Sequence, residues 1–281
     1  MQVNEESFNS FLKGIKEKSF FSLENQEIKE ICKEALSIDY TDLLIGSPTI
    51  NKKQKEIFTD LVKRRARGEP LAYLLKKKGF WDLDLFINRE VLVPRPETET
   101  IVEDILKSFD QDRLSIIDLG TGSGALALAL KKNRPEWEVF ASDISKESID
   151  VAKKNSETYN LDISLFLGNW MDSVNSNTLD LVVSNPPYIK ENDPSLISDG
   201  LLFEPRRALI AKNEGLSDLY SIIDGASSKL KKGGSIYLEH APFQYLEVSK
   251  ELGLKNFSSI ECIKDLNGDK RVTKAIKKDG R

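Results

Sequence analysis

The feature that most constrains this chain is an alternation over residues 114–238, where short apolar segments are followed by amphipathic ones. Residues 115–117, 138–141, 163–167, 179–183 and 235–238 have the length and β-branched content of strands. Residues 125–132, 146–159 and 218–230 carry helical periodicity between them. Strands that alternate with helices pair in parallel, because each return path is a crossover that lays its helix on a sheet face. The predicted class is therefore α/β, a mainly parallel sheet covered on both faces. Residues 258–263 and 271–276, around Asn267-Gly268, read as a hairpin closing one edge.

Upstream the periodicity changes. Phe8, Phe11, Leu12 and Ile15 recur at helical steps. A second helix is predicted from near Ser22, with Ile28, Ile31, Cys32, Ala35 and Leu36 on one face. A third covers residues 52–67, with Ile57, Phe58, Leu61 and Val62 as its apolar side and Gly68-Glu69-Pro70 as its stop. Phe80, Leu83, Leu85, Ile87, Val91 and Val93 are strand formers, and Asn88-Arg89-Glu90 reads as the turn between two short strands. Pro94-Arg95-Pro96 stiffens a connector, after which residues 97–109 resume helical spacing with acids in the first turn. The predicted division is a helical bundle over 1–76, a β-hairpin connector over 77–96 and a catalytic domain over 97–281.

Bulk properties exclude several classes. Cys32 and Cys262 lie far apart in no CxxC pattern, which rules out a disulfide framework and fits a reducing compartment. One histidine and no cysteine cluster argue against a metal site. The N-terminus has no basic region leading into an apolar run, so no signal peptide is expected, and no stretch approaches the ~20 apolar residues of a membrane span. A cytoplasmic protein is the expectation. The net charge of -4 weighs against a partner held by its phosphates, which usually meets a basic stripe.

Asp118-Leu119-Gly120-Thr121-Gly122-Ser123-Gly124 follows a strand and opens a helix. Glycines there let backbone approach a ligand closely, and Asp143, about twenty residues on, can accept hydrogen bonds from both hydroxyls of a ribose. Alone the loop is ambiguous, since Ala125 lets it pass as a dinucleotide fingerprint and a bare helix-packing turn has the same glycines. Two features tilt it toward S-adenosylmethionine. The loop follows a helical domain rather than starting the fold, and Asp118 suits a cationic ligand head better than a pyrophosphate.

Residues 179–184 form a strand that ends in Asn185-Pro186-Pro187-Tyr188. Open sheets place their sites at the carboxyl ends of such strands. The Asn185 side-chain oxygen and the Pro186 carbonyl are two acceptors, which match the two hydrogens of an NH2 group, and Tyr188 offers a flat face. A planar NH2 nitrogen is a poor nucleophile because its lone pair is delocalised. Holding both hydrogens turns it toward an electrophilic methyl, so positioning supplies most of the acceleration without metal or strong base. The bland alternative, a strand-ending turn of rigid prolines, would be preferred if the glycine loop were missing.

With both motifs in place, the chain resembles the class I methyltransferases that modify the glutamine of peptide chain release factors, the PrmC/HemK family. The resemblance spans Arg67-Gly68-Glu69-Pro70-Leu71-Ala72-Tyr73, Phe80-Trp81, Val93-Pro94-Arg95-Pro96-Glu97-Thr98-Glu99, the glycine loop, Asn185-Pro186-Pro187-Tyr188-Ile189, Phe203-Glu204-Pro205 and Glu239-His240. It implies a Rossmann-like, mostly parallel seven-stranded sheet, an N-terminal bundle that helps hold the release factor, and S-adenosyl-L-methionine as methyl donor with S-adenosyl-L-homocysteine as product. It also implies that Gly120, Thr121, Gly122, Ser123, Gly124, Asp143 and Trp170 bind the cofactor, with Asp118 beside them. Asn185 then touches cofactor and substrate, and Pro186, Pro187 and Tyr188 line the glutamine site. Asn169 stands where the family usually has aspartate, and Ala241 where it has glycine.

Other residues carry less. His240, the one histidine, reads as an ordering residue rather than a base. Arg95 and Glu97 fit a clamp on cofactor or substrate as well as a structural tie. The basic stretch Lys63-Arg64-Arg65-Arg67 and the run Lys76-Lys77-Lys78 fit an acidic partner surface, though a solvated helix face is the more frequent origin of such runs. Trp170 fits stacking on adenine or a place in the core. Two rival functions remain: an adenine-amine methyltransferase acting on nucleic acid, which would need a basic groove, and a non-catalytic cofactor-binding assembly factor, which intact Asn185 argues against.

Overall fold

A computed structural model describes residues 6–7, 25–38, 42, 49–111, 113–172, 174–197 and 200–279. The helix expected around Phe8 to Ile15 lies outside them. The chain divides into two compact units, residues 1–76 with 197–203, and residues 77–196 with 204–281.

The first unit contains a two-stranded pairing of β1 (Glu6–Ser7) with β2 (Thr49–Ile50), and helices α1 (Asn25–Leu36), α2 (Lys52–Ala66) and α3 (Leu71–Leu75). Asn51 starts α2 through a capping box: its side chain accepts from the Gln54 amide, while the Gln54 side chain accepts from the Asn51 amide. Ile31, Cys32, Leu36, Phe58, Leu61 and Val62 meet in one core, as their helical spacing requires. Desolvation there pushes the Cys32 thiol up to about 12, so it packs as an inert apolar group.

The second unit opens with a hairpin, β3 (Lys77–Phe80) and β4 (Leu83–Phe86). Its turn is Trp81-Asp82, with Phe80 opposite Leu83 and Trp81 at φ +54°, which corrects the expected turn at Asn88-Arg89-Glu90. A tryptophan in the left-handed region carries no turn signal. Ile87, Val91 and Val93 are buried without being strands, so their apolar character records burial alone. The hairpin is anchored by a side chain that imitates a strand: Asn155 Oδ1 accepts from the Phe86 amide at 2.7 Å, and its Nδ2 donates to the Phe86 carbonyl at 3.1 Å.

A helical turn at Pro96–Thr98 leads into α4 (Glu99–Ser108). The alternation then follows as β5 (Ser115–Leu119), α5 (Ala125–Asn133), β6 (Glu138–Asp143), α6 (Lys146–Tyr159), β7 (Ser164–Leu167), β8 (Leu179–Ser184), α7 (Ser217–Lys229) and β9 (Leu230–Glu239). After it come α8 (Tyr245–Leu254), which periodicity did not reveal, and the antiparallel pair β10 (Phe257–Lys264) and β11 (Lys270–Lys277). The seven strands run in the order β10-β11-β9-β8-β5-β6-β7, parallel from β9 to β7, with β11 antiparallel to both its neighbours. The Lys232-Gly233-Gly234 turn lies inside β9, as an irregularity between the Leu179–Leu230 and Leu181–Ser235 pairs. Ala125 to Leu130 are all buried, which places α5 in the middle of the domain behind the glycine loop. No helix among the described residues is long and apolar enough to cross a membrane.

Candidate active site

At the carboxyl end of β5 the chain turns through Gly120, Gly122 and Gly124 with φ of +68°, +55° and +83°, a backbone that side chains rarely adopt. The turn is pinned to its neighbours. Thr121 donates its amide to the Ser142 carbonyl at 2.9 Å, and Asn155 Nδ2 donates to the Ser123 carbonyl at 2.9 Å. A Cβ on Gly124 would sit 3.1 Å from Leu128 and 3.3 Å from Ala152, so this glycine lets α5 and α6 close together. A Cβ on Gly120 would lie 3.3 Å from the Trp170 ring.

Asp118 is buried beneath this turn, where Thr121 Oγ1 donates to its Oδ2 at 2.6 Å and the Ala127 amide at 3.3 Å. Burial outweighs those two hydrogen bonds and lifts its carboxyl to about 7. Asp143, at the end of β6, accepts from the Gly122 and Ser145 amides at 3.0 and 2.9 Å, and burial raises its pKa as well. Both acids line one cavity of about 340 Å³, together with Gly120, Thr121, Gly122, Ser123, Trp170, Asn185 and Pro187. Every lining residue belongs to the second unit. Trp170 is half-buried, lining the cavity on one side and packing against the core on the other.

Asn185 ends β8. Its Nδ2 donates to Thr98 Oγ1 at 3.1 Å, and Thr98 Oγ1 donates to Glu239 Oε2 at 2.6 Å. Tyr188 donates its hydroxyl to Glu239 Oε1 at 3.3 Å. Among the described residues three buried side-chain polar atoms lack a partner, Ser142 Oγ, Asn185 Oδ1 and Ser249 Oγ, and of these residues only Asn185 lines the cavity. A buried acceptor left unpaired costs about 1–3 kcal/mol. An unpaired acceptor on a residue that lines a cavity marks a place for a donor that arrives with the ligand.

Thr98, Asn155 and Glu239 make contacts around the site that the sequence reading missed. Thr98 sits inside the PETE run and Glu239 at the end of a strand, but neither type nor spacing announces a hydrogen bond across 141 positions. Glu239 is buried, and desolvation lifts it to about 7 against the pull of Thr98, Tyr188 and Arg271. Gln244 is a further addition: it accepts from the Ala241 amide and donates to the Tyr188 carbonyl at 3.0 Å, bracing the loop after Asn185. His240 is buried with Nδ1 2.8 Å from the Ala241 carbonyl and Nε2 2.7 Å from Thr273 Oγ1. Burial lowers its pKa, and a neutral ring protonated on Nδ1 satisfies both contacts, so it orders structure and does not face the cavity. Arg95 pairs with Glu204, which also accepts from the Val93 amide at 3.0 Å. That pair is a tie within the second unit, and Arg95 does not line the cavity.

The chain matches the family model for the PrmC N-terminal domain over residues 17–75 and that for the methyltransferase small domain over residues 98–216. It is 38% identical to the release factor glutamine methyltransferase of Salmonella typhimurium, with 82% of this chain and 84% of that protein aligned. It is 41% identical to the enzyme of the same description from Xylella fastidiosa, over 78% and 80% of the two chains. The chain belongs to the release factor glutamine methyltransferase family. For the fold, a methyltransferase from Pyrococcus furiosus superposes with a TM-score of 0.53 at 20% identity, over 79% of this chain and all of that one. The T. thermophilus 16S rRNA N2 G1207 methyltransferase, solved with AdoMet and guanosine, gives 0.55 at 18% identity, over 72% of this chain and 50% of that one. As a member of this glutamine methyltransferase family the chain is an S-adenosylmethionine-dependent methyltransferase, and its cavity fits that cofactor. It has a carboxyl raised by burial that a cationic head would stabilise, a second carboxyl twenty-five positions on, and an indole face beside Gly120.

Proposed function

We propose that this chain transfers a methyl group from S-adenosyl-L-methionine to the side-chain amide nitrogen of the glutamine in the Gly-Gly-Gln motif of class I peptide chain release factors. The observation that carries the reading is the unpartnered Oδ1 of Asn185, buried at the wall of the cavity that Asp118, Asp143 and the glycine turn also line. When bound, S-adenosylmethionine supplies an electrophilic methyl group on a cationic sulfur. Gly120 to Gly124 would let backbone approach the cofactor, Asp118 would hold its ammonium, Asp143 its ribose, and Trp170 would offer a face to its adenine.

Asn185 Oδ1 and the Pro186 carbonyl accept the two amide hydrogens of the glutamine, and Pro187 and Tyr188 confine its plane. Holding both hydrogens orients the nitrogen lone pair toward the methyl carbon, in line with the departing sulfur, which is the positioning that makes a weak nucleophile react. Residues 1–76 serve to recognise the substrate protein, and the reaction belongs to the cytoplasm, where translation terminates. The relatives' shared description supports the substrate, since they align over about four-fifths of their length.

Incubation with labelled S-adenosylmethionine and either a release factor or nucleic acid tests the reading. Mass spectrometry should find one added methyl on a single release-factor glutamine. Label confined to adenine in nucleic acid would overturn it.

A further inference from the structure

We propose that Thr98 and Glu239 set the polarity of the Asn185 amide, keeping its Oδ1 as the end that faces the substrate, and so act as positioning residues for methyl transfer. This rests on the proposed function above. An asparagine amide is nearly symmetric in shape, one end an acceptor and the other a double donor, so its neighbours decide which end enters a site. Only the acceptor end can hold an incoming NH2 group. The donor end would set hydrogen against hydrogen.

The neighbours here leave one choice. Thr98 and Glu239 are both buried, 4% and 1% exposed, so water does not compete for their atoms. A hydroxyl carries a single proton, and that of Thr98 is committed to Glu239 Oε2 at 2.6 Å. Towards Asn185, 3.1 Å away, Thr98 Oγ1 can therefore only accept. Nδ2 must face Thr98, and Oδ1, on a residue that lines the cavity, is left without a partner. Above about pH 7, where its carboxylate is ionised, Glu239 fixes the direction of the whole chain, because it then accepts and never donates. Its other oxygen receives the Tyr188 hydroxyl at 3.3 Å, so one carboxylate orders both polar side chains of the Asn-Pro-Pro-Tyr segment.

Substitution can reverse or erase that direction. In Glu239→Gln the new NH2 end can donate to Thr98, freeing the hydroxyl proton to bind Asn185 Oδ1 and turn the amide over. In Thr98→Val the hydroxyl is gone, and Nδ2 loses the partner that distinguishes its two orientations. Thr98→Ser keeps the hydroxyl.

Steady-state methylation of a release factor by the full-length chain is the test, with cofactor Kd and thermal melting measured on each variant. Thr98→Val should lower kcat about 10- to 100-fold, with KM for the release factor and cofactor Kd within about threefold of wild type. Thr98→Ser should recover kcat to within about fivefold of wild type, and Glu239→Gln should lose about as much as Thr98→Val. The double variant should be no slower than the slower single one, as expected for two members of one chain. Wild-type kcat in Thr98→Val, a Thr98→Ser as slow as Thr98→Val, or a loss confined to KM and Kd would each overturn the proposal. If Thr98→Val does not fold, Glu239→Gln decides between the same two outcomes. A wild-type chain that leaves the release factor unmethylated overturns the substrate reading and this inference with it; methylation undiminished in the variants overturns the inference alone.

Discussion

Asp118 owes its raised pKa to burial, and that has a consequence for stability as well as for ligand choice. Its carboxyl titrates near 7 in the folded chain and near the ordinary carboxylate range when unfolded. A folded pKa above the unfolded one stabilises the fold most at low pH, and that contribution is lost as pH rises through about 7. Glu239 acts in the same direction, for the same reason. Between pH 5 and pH 8 the cofactor-free chain should therefore lose a few kcal/mol of unfolding free energy at these two sites together. Asp118→Asn should flatten part of that slope in urea titrations at the two pH values. An unchanged slope would mean that Asp118 titrates as an ordinary exposed acid. A bound cationic head would reverse the penalty, which is why a group of this kind belongs at a cofactor site and not in an apolar core.

At the scale of elements, the loop that carries the reactive residues is held by a strained segment that came with no advance notice. Asn213 and Glu214 lie in the left-handed region, and Gly215 follows at φ +85°. A Cβ on Gly215 would fall 2.1 Å from the Tyr188 carbonyl oxygen and 2.8 Å from Gln244 Nε2, so Gly215→Ala must displace backbone. It should cost about 3 kcal/mol or more and lower kcat with it. Gly233→Ala has a similar φ of +74° but open space around it, and should cost only about 1 kcal/mol and leave kcat as it is. Thermal melting with parallel kinetics compares the two; equal effects would mean that the close approach at Tyr188 does not brace the site. The strand–helix alternation was legible because each segment has its own apolar period. So was the edge hairpin, because Asn267-Gly268 is a turn with a known geometry. The Trp81-Asp82 turn was not, since tryptophan has no preference for the left-handed region Trp81 occupies, and its amide is held by Glu99 Oε1 at 2.8 Å, a contact that only tertiary structure creates. The helix over residues 245–254 was hidden for another reason: Leu246 and Leu254 are exposed, which blurs its amphipathic stripe. Site residues split the same way. Asp118, Asp143 and Asn185 stand at strand ends, where open sheets place their sites, whereas Thr98, Glu239 and Gln244 reach the site through contacts that only tertiary structure creates.

For the molecule as a whole, two compact units with separate cores divide the work: the cavity draws its lining from the second unit alone. The net charge of -4 offers no general attraction to nucleic acid. The account depends on the unpartnered Asn185 oxygen just after β8 gripping an amide hydrogen of an intact protein substrate. Single-turnover methylation of a full-length release factor by wild type and Asn185→Ala, at saturating cofactor, probes this most directly. The expected result is a drop of about 10²- to 10³-fold in the rate of methyl transfer, with the release factor still bound at near wild-type affinity. A variant that methylates the same glutamine at the wild-type rate would contradict it.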